Sequence, residues 1–339
     1  MKAASRPILR SVLAACLLTP LALQAQSSDS PAENVSSALN PNNDAARTLD
    51  TSVDRVLFRL STPELVNAGP ASSSAPAAPQ KSWECDWFKS PTVFVNNLFN
   101  NNNDQRPSGL DTFQYRLQIG ADFVTYADII AGVLYTYGYE EGEADDIFGA
   151  TQEYDKVSHH MTLYAGRSFG DWFLAGATMT LGWADIDSNI PAFAAQGGND
   201  TFSYSPSVYA GVAHSWDQFG FSSVFAYQYE DISYDPGVSG ASVFNTSTGT
   251  FTWKTSGTWY AADWVDVSAY YKLTQIAHTN VQIALPAGES NDHNWSTIGS
   301  KATFHPAASW EVYAGVDYDL FNRNYGENVT GLLGAGYRF

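Results

Sequence analysis

From about Pro91 to Phe339 the chain alternates apolar and polar side chains with a period of two, the period of a β-strand rather than a helix. "DTFQYRLQIGAD" sets Phe113, Tyr115, Leu117 and Ile119 against Gln114, Arg116, Gln118 and Gly120. "WFLAGATMTLGWADI" sets Phe173, Ala175, Ala177, Met179, Leu181 and Trp183 against Gly176, Thr178, Thr180 and Gly182. With the weaker "PTVFVNNLF" counted first, about twelve such segments follow one another. Each has the roughly 9 to 11 residues that a tilted strand needs to cross a bilayer.

The connections between these segments are of two kinds in strict alternation. Long polar ones ("NNNNDQRPSG", "EEGEADDIFGATQEYD", "DSNIPAFAAQGGNDTF", "SYDPGVSGASVFNTSTG", "HTNVQIALPAGESNDH", "NRNYGEN") alternate with short ones ("FVTYA", "FGD", "WDQ", "AAD", "HPAAS"). A soluble sandwich gives no reason for such alternation. An up-and-down hairpin array with two unlike ends does, and an even strand count brings both termini to the short-turn end. The expected fold is therefore all-β: a transmembrane up-and-down antiparallel β-barrel of about 12 strands over 91–339, with long loops outside and short turns in the periplasm. Aromatics fall where bilayer interfaces should be. Tyr135, Tyr137, Tyr139, Trp183, Tyr227 and Tyr229 lie near the outer strand ends, and Trp172, Phe173, Trp216, Phe219, Trp264, Trp310, Tyr337 and Phe339 lie near the turns.

The inner face of such a barrel should be small and polar, with charges of both signs: Arg116, Lys156, Lys254, Asp266, Lys272, Lys301, Glu311, Asp317 and Arg338. These either pair across a narrow lumen or line a selective path. The acidic stretch with Glu140, Glu141, Glu143, Asp145 and Asp146 reads as a solvated loop, with binding of divalent cations between lipopolysaccharides as the alternative. No phosphate loop, dinucleotide fingerprint or HExxH motif occurs, so no cofactor, metal or catalytic residue is expected. His159 and His160 are neighbours in a strand and point to opposite faces, and "AHSWDQ" leads into a turn where His214 and Ser215 diverge. The protein is read as a non-enzyme.

The N-terminus indicates export. "MKAASRPILR", the short apolar "SVLAACLLTPLAL" and a small residue at Ala25 have the order of a cleaved signal peptide over 1–25, and "LAAC" gives a lipoprotein box as the lesser alternative. Removal of Lys2, Arg6 and Arg10 takes the net charge from −18 to about −21, which disfavours nucleic acid as a partner. It also leaves Cys85 as the single cysteine, so no intramolecular disulfide forms. Residues 26–90 have linker composition, interrupted by "DAARTLDTSVDRVLFRL", in which Leu49, Val53, Val56, Leu57 and Leu60 recur at helical spacing. If this amphipathic helix plugs the barrel, a lumen of Gly, Ser, Thr and charge should receive its polar side, with Arg47, Asp50, Asp54 and Arg55 meeting lumen charges; otherwise the helix stays in the periplasm and packs elsewhere.

The chain ends "GLLGAGYRF", which resembles the C-terminal assembly signal of Gram-negative outer-membrane proteins. The resemblance assigns Tyr337 and Phe339 to recognition by the barrel assembly machinery. Together with "TFHPAASWEVYAGVDYDL", the ending makes 109–339 resemble the autotransporter β-domain, a twelve-stranded translocator barrel. That resemblance implies a monomer among outer-membrane lipid and lipopolysaccharide, anchoring or threading an N-terminal segment. Only 57 residues separate the leader from "WECDWF", too few for a β-helix passenger. A small-solute channel and a structural or adhesive barrel acting through its loops remain as alternatives, since all three need the same strands.

Overall fold

The structure, a computed structural model, describes residues 44–61, 88–103, 111–125, 127–145, 151–190, 195–216, 218–235, 244–280, 294–307, 309–320 and 327–339. The leader, Cys85 and most of the linker lie outside these. The described chain forms one helix, α1 (Asp44–Ser61), and twelve strands. The strands are β1 (Phe88–Asn103), β2 (Asp111–Thr125), β3 (Ile129–Asp145), β4 (Thr151–Phe169), β5 (Phe173–Ile190), β6 (Ala195–Trp216), β7 (Phe219–Asp235), β8 (Phe244–Ala262), β9 (Val265–Thr279), β10 (Asn294–Ala307), β11 (Trp310–Leu320) and β12 (Glu327–Arg338). Each pairs antiparallel with its sequence neighbours and β1 pairs with β12, so the sheet closes into a barrel. Closure removes the free edges that would otherwise template aggregation.

Period two becomes inside and outside. In β2 exposed or half-exposed residues alternate with buried ones along the whole strand. The outer wall carries large apolar side chains in the open, among them Leu163 at 64% and Phe173 at 63% exposure. Rings flank that surface at the short-turn end, where Trp172 stacks on His214 at 4.0 Å and Tyr337 meets Trp310 and Phe339 at 4.9 Å each. A continuous apolar wall of this kind is solvated by hydrocarbon, not water.

Two sequence expectations on strand limits are corrected. Apart from β11, with 11 residues, the strands run from 12 to 22 residues, longer than a membrane crossing requires. Most of "DSNIPAFAAQGGNDTF" is strand: β5 pairs with β6 out to Ile190 opposite Ala195. The acidic stretch is likewise not a loop at its start, because Glu140, Glu141 and Glu143 belong to β3 and pair with Lys156, Asp155 and Glu153 of β4. Backbone ladder bonds continue past the apolar belt even where side chains are polar, since each ladder bond satisfies a donor and an acceptor regardless of side chain.

The inner face is close-packed around glycine. Phe94 lies so near Gly120 that a Cβ there would sit 2.3 Å from its ring, and Tyr164 stands over Gly132 at 2.2 Å in the same sense. The first and last strands meet at the short-turn rim, where the Phe339 N–H donates to the Pro91 carbonyl at 3.0 Å.

Candidate functional site: the plugged lumen

The candidate functional site is the lumen, and α1 fills part of it. At 1.5 Å per residue its 18 residues extend about 27 Å, close to the hydrocarbon thickness of a bilayer. A lone helix of this length is marginal in water, so its stability must come from what it packs against. Asp44 in the first turn and Arg59 in the last complement the helix dipole. The Thr48 and Ser52 hydroxyls donate back to the carbonyls of Asp44 and Thr48, which removes two polar groups from the buried surface.

One face of α1 is apolar and meets an apolar wall. Leu49, Val53 and Val56 are buried in one cluster with Val124 of β2, Ile130 and Leu134 of β3, Tyr164 of β4, Leu174 of β5, Tyr209 of β6 and Val224 and Ala226 of β7. This corrects the expectation of a lumen of Gly, Ser, Thr and charge that receives only the helix's polar side. The inner face of β2–β7 is greasy toward the short-turn end, and burial there contributes about 1.5 to 3 kcal/mol for each aliphatic side chain.

The other face is ionic, and its partners come from β8, β9, β11, β12 and β1, with further ones on β2 and β4. Arg47 donates to Asp317 of β11 at 2.9 Å and to Thr330 of β12 at 2.7 Å. Asp50 accepts from Lys272 of β9 and Asp54 from Lys254 of β8, each at 2.7 Å. Arg55 donates to Asp122 of β2 at 2.9 Å and also to Glu311 of β11. Arg59 donates to Thr92 of β1 at 2.9 Å and to the Ser90 carbonyl, and its Nε lies 3.2 Å from Asp122. At the N-terminal end Asp44 accepts from Arg116 at 2.5 Å and Ser158 at 2.8 Å, with Lys156 at 3.5 Å and His160 at 3.2 Å.

All nine sequence-named lumen charges stand on the inner wall, and six of them meet the helix. Of the other three, Asp266 contacts His305 at 2.8 Å, Lys301 lies 5.5 Å over the Tyr313 ring, and Arg338 sits half-buried at the short-turn end. Sequence reading passed over Asp122, although it follows Gln118 and Gly120 in the same inner set.

These contacts fix which way the chain runs through the pore. Asp44 meets residues of β2 and β4 on the long-connection side of their midpoints or at them. Arg59 meets Thr92 and Asp122 beside the short-turn rim, and Phe58 stacks on His305 there at 6.4 Å. The helix thus points its N-terminus toward the long connections and its C-terminus toward the rim where β1 begins.

Between the ionic face and the wall of β8–β11 lies a cavity of about 520 Å³. Trp172 and the turn residues Gly170 and Asp171 border it at one end, while Arg47, Asp50 and Asp317 border it deeper in the lumen. His214 and Ser215 separate, the first onto Trp172 and the second to the Tyr260 hydroxyl at 3.2 Å; Asp217 is outside the described residues. His159 lies on the outer wall, its Nδ1 2.7 Å from the Tyr135 hydroxyl, opposite in sense to His160. Among the described residues no three metal-ligating side chains converge.

No family model matches the chain, and no curated protein sequence does. Solved structures are similar in fold. The translocator domain of the autotransporter NalP from Neisseria meningitidis is 13% identical, with a TM-score of 0.59 over 89% of this chain and 100% of that one. The transport unit of the autotransporter AIDA-I from Escherichia coli is 12% identical, with a TM-score of 0.56 over 85% and 98%. An outer-membrane channel from Pseudomonas putida F1 is 12% identical, with a TM-score of 0.51 over 78% and 100%. At such identities the likeness is one of fold: this chain shares its closed barrel with autotransporter translocator domains and with an outer-membrane channel.

Proposed function

We propose that the protein is an outer-membrane barrel of the translocator kind, which has passed the part of its own chain before Asp44 outward and keeps α1 as the plug. The observation that carries this reading is the polarity of α1. A helix inserted simply as a periplasmic plug has no need to place its N-terminus toward the long connections, whereas a chain left after outward passage must do so. The signal peptide over 1–25 supplies entry to the periplasm, and Tyr337 and Phe339 supply recognition by the assembly machinery through β-augmentation. A Phe339→Ser chain that reaches the membrane at the normal level would remove that role. The barrel works as a monomer among lipid and lipopolysaccharide.

The test is accessibility on intact cells. With Cys85 replaced by Ser, a Ser28→Cys variant should react with a membrane-impermeant thiol reagent from outside. Reaction only after the outer membrane is permeabilised would defeat the reading.

A second reading, a small-solute channel, is favoured by the cavity of about 520 Å³ beside the helix. In the docked state Arg47–Asp317 and Asp50–Lys272 lie across its inner end. The translocator reading therefore expects little single-channel conductance from the intact protein and a large increase when 44–61 are deleted. High conductance with α1 in place would favour the channel.

A further inference from the structure

The barrel has one pairing of a different kind. Every other strand pair joins neighbours in sequence, but β1 and β12 are the two ends of the barrel chain. That seam is held by backbone bonds between strands that no hairpin ties together. On its inner surface Gly334 and Gly336 of β12 carry no side chain opposite Asn96 and Phe94, and Tyr313 and Glu311 of β11 cover them.

The arginines of α1 are sorted toward this seam. Arg47 reaches β11 and β12, Arg55 reaches β2 and β11, and Arg59 reaches β1 and β2. Asp50 and Asp54, on the same helix, reach β9 and β8. Arg55 also lies 4.4 Å over the Phe94 ring of β1. Asp122 has a fully buried side chain, and its ion-pair partners among the described residues are Arg55 and Arg59. With the helix in place but its arginines neutral, Asp122 on one side of the seam and Glu311 and Asp317 on the other would face one buried sector of the lumen without those cations. Like charges in a sector of low dielectric repel, and here the repulsion acts across the one joint that joins the two ends of the barrel.

We propose that α1 is the clasp of the barrel seam: Arg47, Arg55 and Arg59 bridge the first hairpin and the last and hold β1 against β12. This role needs only the helix in the lumen, and stands or falls separately from export.

The experiment compares thermal unfolding of the full-length protein in detergent, read as the temperature at which the compact gel form is lost. In a background with Cys16 and Cys85 replaced by Ser, the triple variant Arg47→Gln, Arg55→Gln, Arg59→Gln should lose at least about 10 °C. The pair Asp50→Asn, Asp54→Asn should lose less than half as much. A disulfide across the seam, from Val95→Cys and Ala335→Cys, should restore most of the triple variant's loss. One across β9–β10, from Ala269→Cys and Ser300→Cys, should not. Equal losses in the two charge variants, or equal rescue by the two disulfides, would overturn the clasp. Should the triple variant fail to assemble, Arg55→Gln alone is compared under the same two disulfides, and the same outcomes decide.

Discussion

The two walls that flank α1 hold it by different physics. Toward β2–β7 the helix is packed like the core of a soluble protein, with Leu49, Val53 and Val56 among buried aliphatic and aromatic side chains. Toward β8–β12 and β1 it is held at a distance by paired charges, with space left between them. Apolar packing is non-directional and sets which side of the lumen the helix lies on. Charge pairs are directional, and a buried one costs desolvation that its partner must offset. The ionic wall therefore places the helix without adding much net stability, but it is intolerant of losing one partner. It also leaves polar space through which a chain can have moved, whereas a lumen lined all round like β2–β7 would have gripped it.

Breaking the buried part of the ionic wall should have the largest effect. Arg55→Met leaves the Asp122 and Glu311 carboxylates in low dielectric with one cation fewer, and should cost about 3 to 5 kcal/mol of unfolding free energy by urea titration in lipid. A loss under about 1 kcal/mol would mean that water reaches this pair freely. Next comes the apolar wall. Leu134→Ala removes a fully buried side chain beside the helix and should cost about 2 to 5 kcal/mol, toward the lower end if α1 shifts to fill the space. No measurable change would show that the helix does not pack there. The smallest effect belongs to Lys254→Met, because its partner Asp54 has a side chain 37% exposed to the cavity. That substitution should change stability by no more than about 1 kcal/mol. A larger loss would mean that the cavity shields this pair from water.

Much of this was legible in the sequence, and the contrast between the walls explains what was not. Period two gave the strands and, with the alternating connections, the barrel and its two ends. Helical spacing of Leu49, Val53, Val56 and Leu60 gave α1 to within a residue. The greasy inner wall was hidden because "DIIAGVLYTY" is apolar on both faces: Ile130 and Leu134 belong to the inner set and Ala131, Val133 and Tyr135 to the outer. Alternation assigns a face only where the faces differ. The ionic partners were hidden for another reason. Arg47 and Thr330 are 283 positions apart, and no local pattern pairs residues at that distance. That lumen charges would meet the helix was readable, but which would meet which depends on the closed barrel.

The central claim is that α1 sits in the lumen with Asp44 toward the long connections and Phe58 toward the short-turn rim. Cross-linking in intact cells with a short bis-maleimide tests it, again in a background with Cys16 and Cys85 replaced by Ser. The pairs Asp44→Cys with Ser158→Cys and Phe58→Cys with His305→Cys should each be joined, since Asp44 accepts a hydrogen bond from Ser158 and Phe58 stacks on His305. The exchanged pairs, Asp44→Cys with His305→Cys and Phe58→Cys with Ser158→Cys, should not be joined. Cross-linking of the exchanged pairs would show a helix inserted the other way round, and cross-linking of neither set would show a lumen that α1 does not occupy.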